Sequence, residues 1–501
     1  MKPIGTFSLV LHTHLPWVAH NGTWPVGEEW LHQAFTGSWR RVLRMLDRLA
    51  GHGYREVLTL GVTPVVAAML DDPYCLAEIY GWAGRWQLRA EQLAARLELA
   101  ELARHERAQA IACLADLEQR WLSGGLSSVL RPLVDAGVIE LLSGPATHPF
   151  QPLLTERFAD AQLSTGLADA RLRLGRPVTG IWAPECGYAP GMEHFYAKHG
   201  VTHFLVDAPA VRDDTAFGHR VGESEVLAFA RDLTLSNRIW SSRSGYPGGT
   251  SYRDFHTFDH PSGFRPARVT GGGEHKQLWL PGPARAAVQR DARDFVTAVV
   301  DRLTEIERQS GRPGLVVAAF DTELFGHWWY EGPEFLEAVL RMLPQAGVQL
   351  RTLAGARDAG LVAGRVELPE SSWGAGKGWQ VWDNDGVAEL NDELVSIQKR
   401  LFAVLDERLG ATVLDGVRGA RDAGADQLAR EAMLASSSDW AFMVTRDTAA
   451  SYAWQRARSH AQRFFALADA LQGSDRAGTS ALVGELRAVD GPFGHLDART
   501  F

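Results

Sequence analysis

The feature that most constrains this chain is a series of eight short apolar runs that alternate with helix-like stretches. They are FSLVLH (7–12), EVLTLG (56–61), VIELLSG (138–144), TGIWAPE (179–185), HFLVD (203–207), VLAFARD (226–232), LVVAAFD (315–321) and VQLRTL (348–353). Alternation of this kind is the pattern of a parallel α/β fold. Many of the runs finish on a polar or charged group: His12, the Gly144 turn leading to His148, Glu185, Asp207 and Asp321. In a barrel of parallel strands the C-terminal strand ends gather around one mouth, where the active site sits. Strands that merely stopped in solvent would not so often end on catalytic residue types. The expectation is an α/β chain built on a TIM-like barrel of seven or eight strands.

Two segments fall outside the alternation. Gln87–Leu122 holds no Gly or Pro, and Ala110, Leu114, Leu117 and Trp121 keep helical spacing. Residues 73–132 therefore read as a helical insertion between barrel segments 1–72 and 133–385. From 386 to 501 the chain is again helical, with LVSIQKRLFAVLDERL (394–409) and YAWQRARSHAQRFFALADAL (452–471), and reads as a C-terminal helical domain.

Bulk properties exclude several classes. A length of 501 residues suggests two or three structural units. A net charge of −9 argues against a nucleic-acid partner, which needs a basic face. No charged-then-apolar leader opens the sequence, and no apolar run approaches the ~18 residues of a membrane span. Cys75, Cys113 and Cys186 are too scattered for a disulfide framework or a zinc knuckle, which points to a reducing, cytoplasmic home. Seventeen tryptophans, many beside Gly, Pro or charged residues, serve either interior packing or the stacking of a ring-shaped ligand.

The candidate chemistry starts from Glu185, between Trp182 and Tyr188, and Asp321, which opens DTELFGHWWYEG (321–332). Two carboxylates at strand ends of one barrel suit glycoside cleavage with retention, where one attacks the anomeric carbon and the other protonates the leaving oxygen. Glu323 competes with Asp321, but Asp321 directly ends its apolar run and Glu323 lies on the turn after it. HTHLPW (12–17) presents His12 and His14 on one side of an extended chain, as metal ligands, as donors to sugar hydroxyls or as hydrogen-bonded structural groups. A metal site would need a third protein ligand, for which His148 and His327 are available. The loop IWSSRSGYPGGTSYRDFH (239–256) carries Tyr246 among glycines, a mobile lid or a plain connector. SSWGAGKGWQVWDND (371–385) sets Trp373, Trp379 and Trp382 in a glycine-rich stretch, and SSSDWAFM (436–443) offers a helix N-cap by Ser or Asp, with Asp439 a lesser site candidate.

Taken together, HTHLPW, GPATHPFQPLL, WAPECGY, the GYPG loop with YRDFH, FDTELFGHWWYEG, the SWG…W…W segment and the SSDW run resemble glycoside hydrolase family 57, and within it the 1,4-α-glucan branching enzymes. The matches keep the family order and cover nearly the whole chain. Two places depart from it: the short stretch with GGGEHKQLW (271–279), and DND after Trp382. The resemblance implies an incomplete (β/α)7 barrel with a helical insertion and a C-terminal helical domain. It implies a retaining mechanism without cofactor or metal, with Glu185 as nucleophile and Asp321 as acid/base. An α-1,4-glucan is then donor and acceptor, and transfer to a 6-hydroxyl makes an α-1,6 branch. His12, His14, Trp17 and His148 would position the donor sugar, with Trp240, Tyr246, Trp279, His327, Trp328, Trp373, Trp379, Trp382 and Asp439 as further substrate-binding candidates. The rival readings are an α-amylase or 4-α-glucanotransferase, a metal-dependent polysaccharide deacetylase using His12, His14 and Asp321, and a glucan-binding regulator without activity.

Overall fold

The computed structural model describes residues 3–241, 244–271, 276–410 and 420–501, so residues 272–275 of GGGEHKQLW lie outside the described residues. Every one of the eight apolar runs contains a strand. These are β1 (Gly5–Thr13), β2 (Leu58–Val62), β3 (Ile139–Ser143), β4 (Gly180–Ile181), β5 (His203–Val206), β7 (Leu227–Ala230), β8 (Leu315–Asp321) and β9 (Val348–Leu350); β6 (Gly218–Val221) and β10 (Val362–Val366) complete the sheet. In the order β7-β5-β4-β3-β2-β1-β8 the pairs are parallel. β6 lies antiparallel beside β7 and carries β10 at the edge, while β9 pairs with residues 5–7 of β1, below the point where β2 begins.

The barrel is incomplete. Where β8 approaches β7 the edges are joined by single hydrogen bonds in place of a ladder, from the Asp232 N–H to the Val317 carbonyl (2.8 Å) and from the Leu315 N–H to the Ala216 carbonyl (2.9 Å). Alternate residues of each strand face two cores. Val10, Leu142, Leu205, Phe229, Val317 and Ala319 fill one, while Phe7, Leu9, Leu11, Leu58 and Leu60 pack against the surrounding helices. One close approach sets the site. A Cβ on Gly166 would lie 1.9 Å from the Gly144 carbonyl, so only glycine lets helix Glu156–Leu174 press against the turn that carries His148.

The segment expected as a helical insertion holds Pro73–Leu93, Ala100–Asp116 and Gly125–Asp135. The first is started by Pro73 at its first position and by Asp72, whose side chain accepts the Tyr74 N–H. The Gly- and Pro-free stretch does not form one helix. It folds back at 94–99, where Arg96 is extended and ion-paired to Asp259 (2.7 Å), so that both helices bury an apolar face. The C-terminal region is helical over Ala388–Gly410, Ala423–Ala435, Ser438–Thr445, Ala450–Gln472 and Arg476–Val489. Among the described residues no helix is long and apolar enough to cross a membrane.

Candidate active site

Register brings the first two candidates together. His12 of β1 is the cross-strand partner of Asp321 on β8, so both side chains leave their strands on the same face. They open into a cleft of about 740 Å³ at the C-terminal strand ends, lined also by His14, His148, Glu185 and Asp439.

Glu185 reaches that cleft by a sharp turn. β4 ends at Ile181, Pro184–Cys186 form one 3₁₀ turn, and Glu185 (φ 60°) and Cys186 (φ 51°) are both left-handed. His148 is left-handed too, at φ 57°. Non-glycine residues in this region cost about 1–3 kcal/mol each and persist where the surroundings hold them. Here the Cys186 and Gly187 amides donate to Ala183 and Pro184 (2.8 Å each), and Tyr188 exchanges backbone hydrogen bonds with Ser371. Trp182 is buried and stacks on His12, ring centroids 4.2 Å apart. The carboxylate is held from two sides: Trp373 Nε1 donates to Oε2 (2.8 Å) and Ser438 Oγ to Oε1 (2.9 Å).

Ser438 and Asp439 come from the C-terminal helical region. His14 Nε2 meets Asp439 Oδ2 at 2.8 Å, and His148 lies between Ser438 Oγ (Nδ1, 3.0 Å) and His12 Nε2 (Nε2, 3.1 Å). The capping role expected of SSSDW does not form. Ser437, at the N-cap of Ser438–Thr445, makes no side-chain cap bond and donates to Asp439 Oδ2 (2.6 Å), and Ser438 donates to Glu185.

Burial dominates the electrostatics. It pushes the Glu185 carboxyl up to about 7, with the Asp439 charge adding to it and the Trp373 and Ser438 donors opposing it. Burial pushes Asp321 up to about 6, against the pull of Arg231 and His14. Among the described residues no side chain hydrogen-bonds the Asp321 carboxyl, which leaves it free to give and take a proton. Glu323 goes to about 8 through burial and the neighbouring Asp321 charge, and its Oε1 is spent on Trp39 Nε1 (2.5 Å). Asp439 is the fixed anion: burial works against it, yet His14 and its hydrogen bonds bring it down to about 2. Burial lowers His12 and His148 well below the usual imidazole range and His327 to about 4, so these rings are neutral. Asp207, another strand-end acid, is occupied by Arg231 (2.7 Å) and Lys377 (2.6 Å). With Glu185 titrating above Asp321, the productive form is the one in which Glu185 is ionised on its two donors and the unbonded Asp321 carboxyl carries the proton, an arrangement suited to nucleophilic attack with general-acid assistance.

The aromatic candidates divide. Trp240 and Trp328, 50% and 39% exposed, meet edge-on at the cleft rim with centroids 6.1 Å apart, a surface on which sugar rings can stack. His327 and Trp373 also line the cleft. Trp382 borders it but is only 1% exposed, stacked on Phe150 at 4.6 Å. Trp379 donates to the Tyr188 carbonyl and packs on Phe150, Trp17 is buried with Nε1 on the Val489 carbonyl (3.2 Å), and Trp279 is buried against Glu331. Trp17, Trp279 and Trp379 thus serve the packing around the cleft and do not line it. Residues missed in the sequence are Trp30 and Arg446, which carry no motif, and Phe442 of the SSSDWAFM run, all on the wall of the cleft.

Tyr246 lies packed down on its loop in this structure. Its hydroxyl donates to Asp294 (2.5 Å) and its ring packs on Phe295 and Phe335, against helix Pro281–Ser310 and outside the cleft lining. The flanking glycines serve the turn that brings the ring down. Tyr246→Ala is expected to cost about 2 kcal/mol of stability and to leave the ratio of new α-1,6 branches to new reducing ends unchanged. A changed ratio at an unchanged melting temperature would restore the lid.

For metals, the ligand atoms of His14, His148 and Asp439 lie within 4.8 Å of one another. Yet the two rings stack face to face at 3.8 Å, so their nitrogens do not converge on one point, and each nitrogen already has a protein partner (Thr63 and Asp439 for His14, Ser438 and His12 for His148). The set His12, His14 and Asp321 required by the deacetylase reading does not assemble, because His12 Nε2 is committed to His148. A second group, Glu431, His460 and Asp490, is fully buried in the C-terminal helices and balanced by Arg456 and Arg463.

Comparison with known proteins agrees with this geometry. The family model described as glycosyl hydrolase family 57 matches residues 8–358, and one described as 1,4-alpha-glucan branching enzyme, C-terminal, matches 406–501. A probable 1,4-alpha-glucan branching enzyme of Mycobacterium tuberculosis is 49% identical over 99% of this chain and 98% of its own length. The crystal structure of a family 57 branching enzyme from Pyrococcus horikoshii superposes with a TM-score of 0.91, at 31% identity over 99% of this chain and 96% of that one. The alpha-amylase AmyC of Thermotoga maritima follows at 0.85 and 26%, covering 100% and 99%. The half-open barrel, the strained turn at Glu185 and a match running through both regions have one common account: the chain belongs to glycosyl hydrolase family 57.

Proposed function

We infer that this protein is a 1,4-α-glucan branching enzyme working by double displacement. Glu185 attacks the anomeric carbon of an α-1,4 linkage as Asp321 gives its proton to the departing 4-oxygen. Asp321 then takes the proton of an incoming 6-hydroxyl, which displaces Glu185 and forms an α-1,6 branch with retained configuration. The rim tryptophans Trp240 and Trp328 stack the glucan, and His12, His14 and His148 wall the cleft beneath it. The observation that carries the reading is that the C-terminal helical region, matched by the branching-enzyme model, supplies Ser438 and Asp439 to the same cleft as Glu185 and Asp321. In this reading 1–72 with 133–385 form the catalytic unit, 73–132 its insertion and 386–501 the C-terminal unit. The substrate is a storage glucan such as glycogen or amylose in the cytoplasm, where the buried thiols of Cys75, Cys113 and Cys186 stay reduced. The test is incubation with amylose followed by debranching: a new population of short chains, with few new reducing ends, is expected. Reducing ends rising without α-1,6 linkages would mean hydrolysis, as in an amylase.

Two further outcomes follow from the site. Activity survives exhaustive dialysis against a chelator, since two carboxyls do the chemistry; loss reversed by adding zinc would overturn the reading. The pH profile of kcat/KM is a narrow bell. The two carboxyls titrate near 6 and 7, so one limb lies on each side of an optimum between them, and a broad plateau from pH 5 to 9 would contradict it.

A further inference from the structure

The hydrogen bonds around Glu185 form a chain whose direction can be worked out proton by proton. An ionised carboxylate only accepts, so Ser438 Oγ–H must donate to Oε1 (2.9 Å). With its proton committed, Ser438 accepts from His148 Nδ1 (3.0 Å), which fixes His148 as the Nδ1–H tautomer. His148 is neutral, so its Nε2 is bare and accepts from His12 Nε2–H (3.1 Å). His12 is neutral too, and its Nδ1 is then the bare end of the chain, buried and without a hydrogen-bond partner among the described residues. All three links point one way, from β1 toward Glu185.

We propose that Ser438 is a positioning residue that, as the last link of the chain from His12 through His148, holds Glu185 as a carboxylate aimed at the sugar. The link comes from the C-terminal helical region, so docking of that region onto the barrel, fixed by the Ser438 N–H to the His148 carbonyl (3.0 Å), is required for the carboxylate to be held ionised. The other titratable or charged groups that face Glu185 are His14, Asp321, Glu323 and Arg231 from the barrel side and Asp439 from helix Ser438–Thr445. The variants below leave all of them in place. The consequence for catalysis rests on the reading of Glu185 as nucleophile; the consequence for its ionisation does not.

Two readouts separate these. Infrared titration of the Glu185 carboxyl, isolated as the difference from a Glu185→Gln sample, is followed in the wild type, Ser438→Ala and Ser438→Thr. Loss of one neutral donor is expected to move the Glu185 titration up by roughly one pH unit in the alanine variant. The threonine variant keeps the hydroxyl and the wild-type titration, which excludes a folding defect as the cause. Because Glu185 titrates above Asp321, kcat/KM of Ser438→Ala is expected to fall by about tenfold at acidic pH and to converge on the wild type only above the shifted Glu185 titration. An unmoved titration in Ser438→Ala, or a loss of activity equal at every pH with no shift, would overturn the proposal. A titration that moves while the pH dependence of kcat/KM does not would uphold the chain and overturn the nucleophile assignment.

Discussion

Glu185→Gln loses more than about 10³-fold of branching activity and keeps its fold and its glucan binding. The amide is nearly isosteric but cannot form the ester to the anomeric carbon. It can still accept from Trp373 Nε1, and Ser438 can turn to accept from its NH₂. Stability gives a second reading with a defined sign. The native carboxyl, pushed up to about 7 by burial, binds its proton more tightly than the unfolded chain at the usual value of 4.5. Wild-type stability therefore falls as pH rises from about 4.5 through 7. The amide has no such loss, so the variant is as stable as the wild type at pH 5 and more stable at pH 8. Thermal melts at both values check this, and branching assays on amylose check the activity. Retention of more than a few per cent of activity would remove Glu185 from the nucleophile role.

Asp321→Asn is expected to lose about 10²–10⁴-fold on amylose, the range of general acid–base help. The loss is smaller with a glycosyl fluoride, whose leaving group needs no proton in the first step. That asymmetry separates Asp321 from Glu323, whose oxygen is already occupied by Trp39 and whose carboxyl is held protonated. Equal losses with both donors would count against Asp321 and bring Glu323 back as the acid. The two variants should not be additive, since both act on one bond-breaking step.

What could be read from sequence followed from where local signals are strong. The eight apolar runs became strands because barrel strands are buried on both faces and leave no room for polar alternation. β6 (GHRV) and β10 (VAGRV) were missed because they lie toward the edge of the sheet, where Arg220 and Arg365 reach solvent and no apolar run is needed. Glu185 and Asp321 were legible as strand-end acids flanked by aromatic residues. The tryptophans were not, because a glycine-rich context is the same whether an indole stacks on a sugar, as Trp240 and Trp328 can, or braces the cleft from behind, as Trp379 and Trp382 do. The contacts of Tyr246 were not legible for a related reason: glycines permit a lid, but the partners that hold its ring here, Asp294, Phe295 and Phe335, are far away in sequence. Ser438 reads as a helix cap from its neighbours alone. Its bond to Glu185 spans 253 residues, and only the tertiary fold reveals it.

The most direct measurement is mass spectrometry of the trapped intermediate. The Asp321→Asn variant, given a 5-fluoro glycosyl fluoride, accumulates the ester, because the anomeric fluoride departs without a proton while the 5-fluoro group and the missing base slow the second step. Digestion should yield one peptide heavier by a single glycosyl unit, with fragmentation assigning the sugar to Glu185 in WAPECGY. An adduct on Glu323 or Asp439, or steady turnover with no adduct on any carboxylate, would contradict the account.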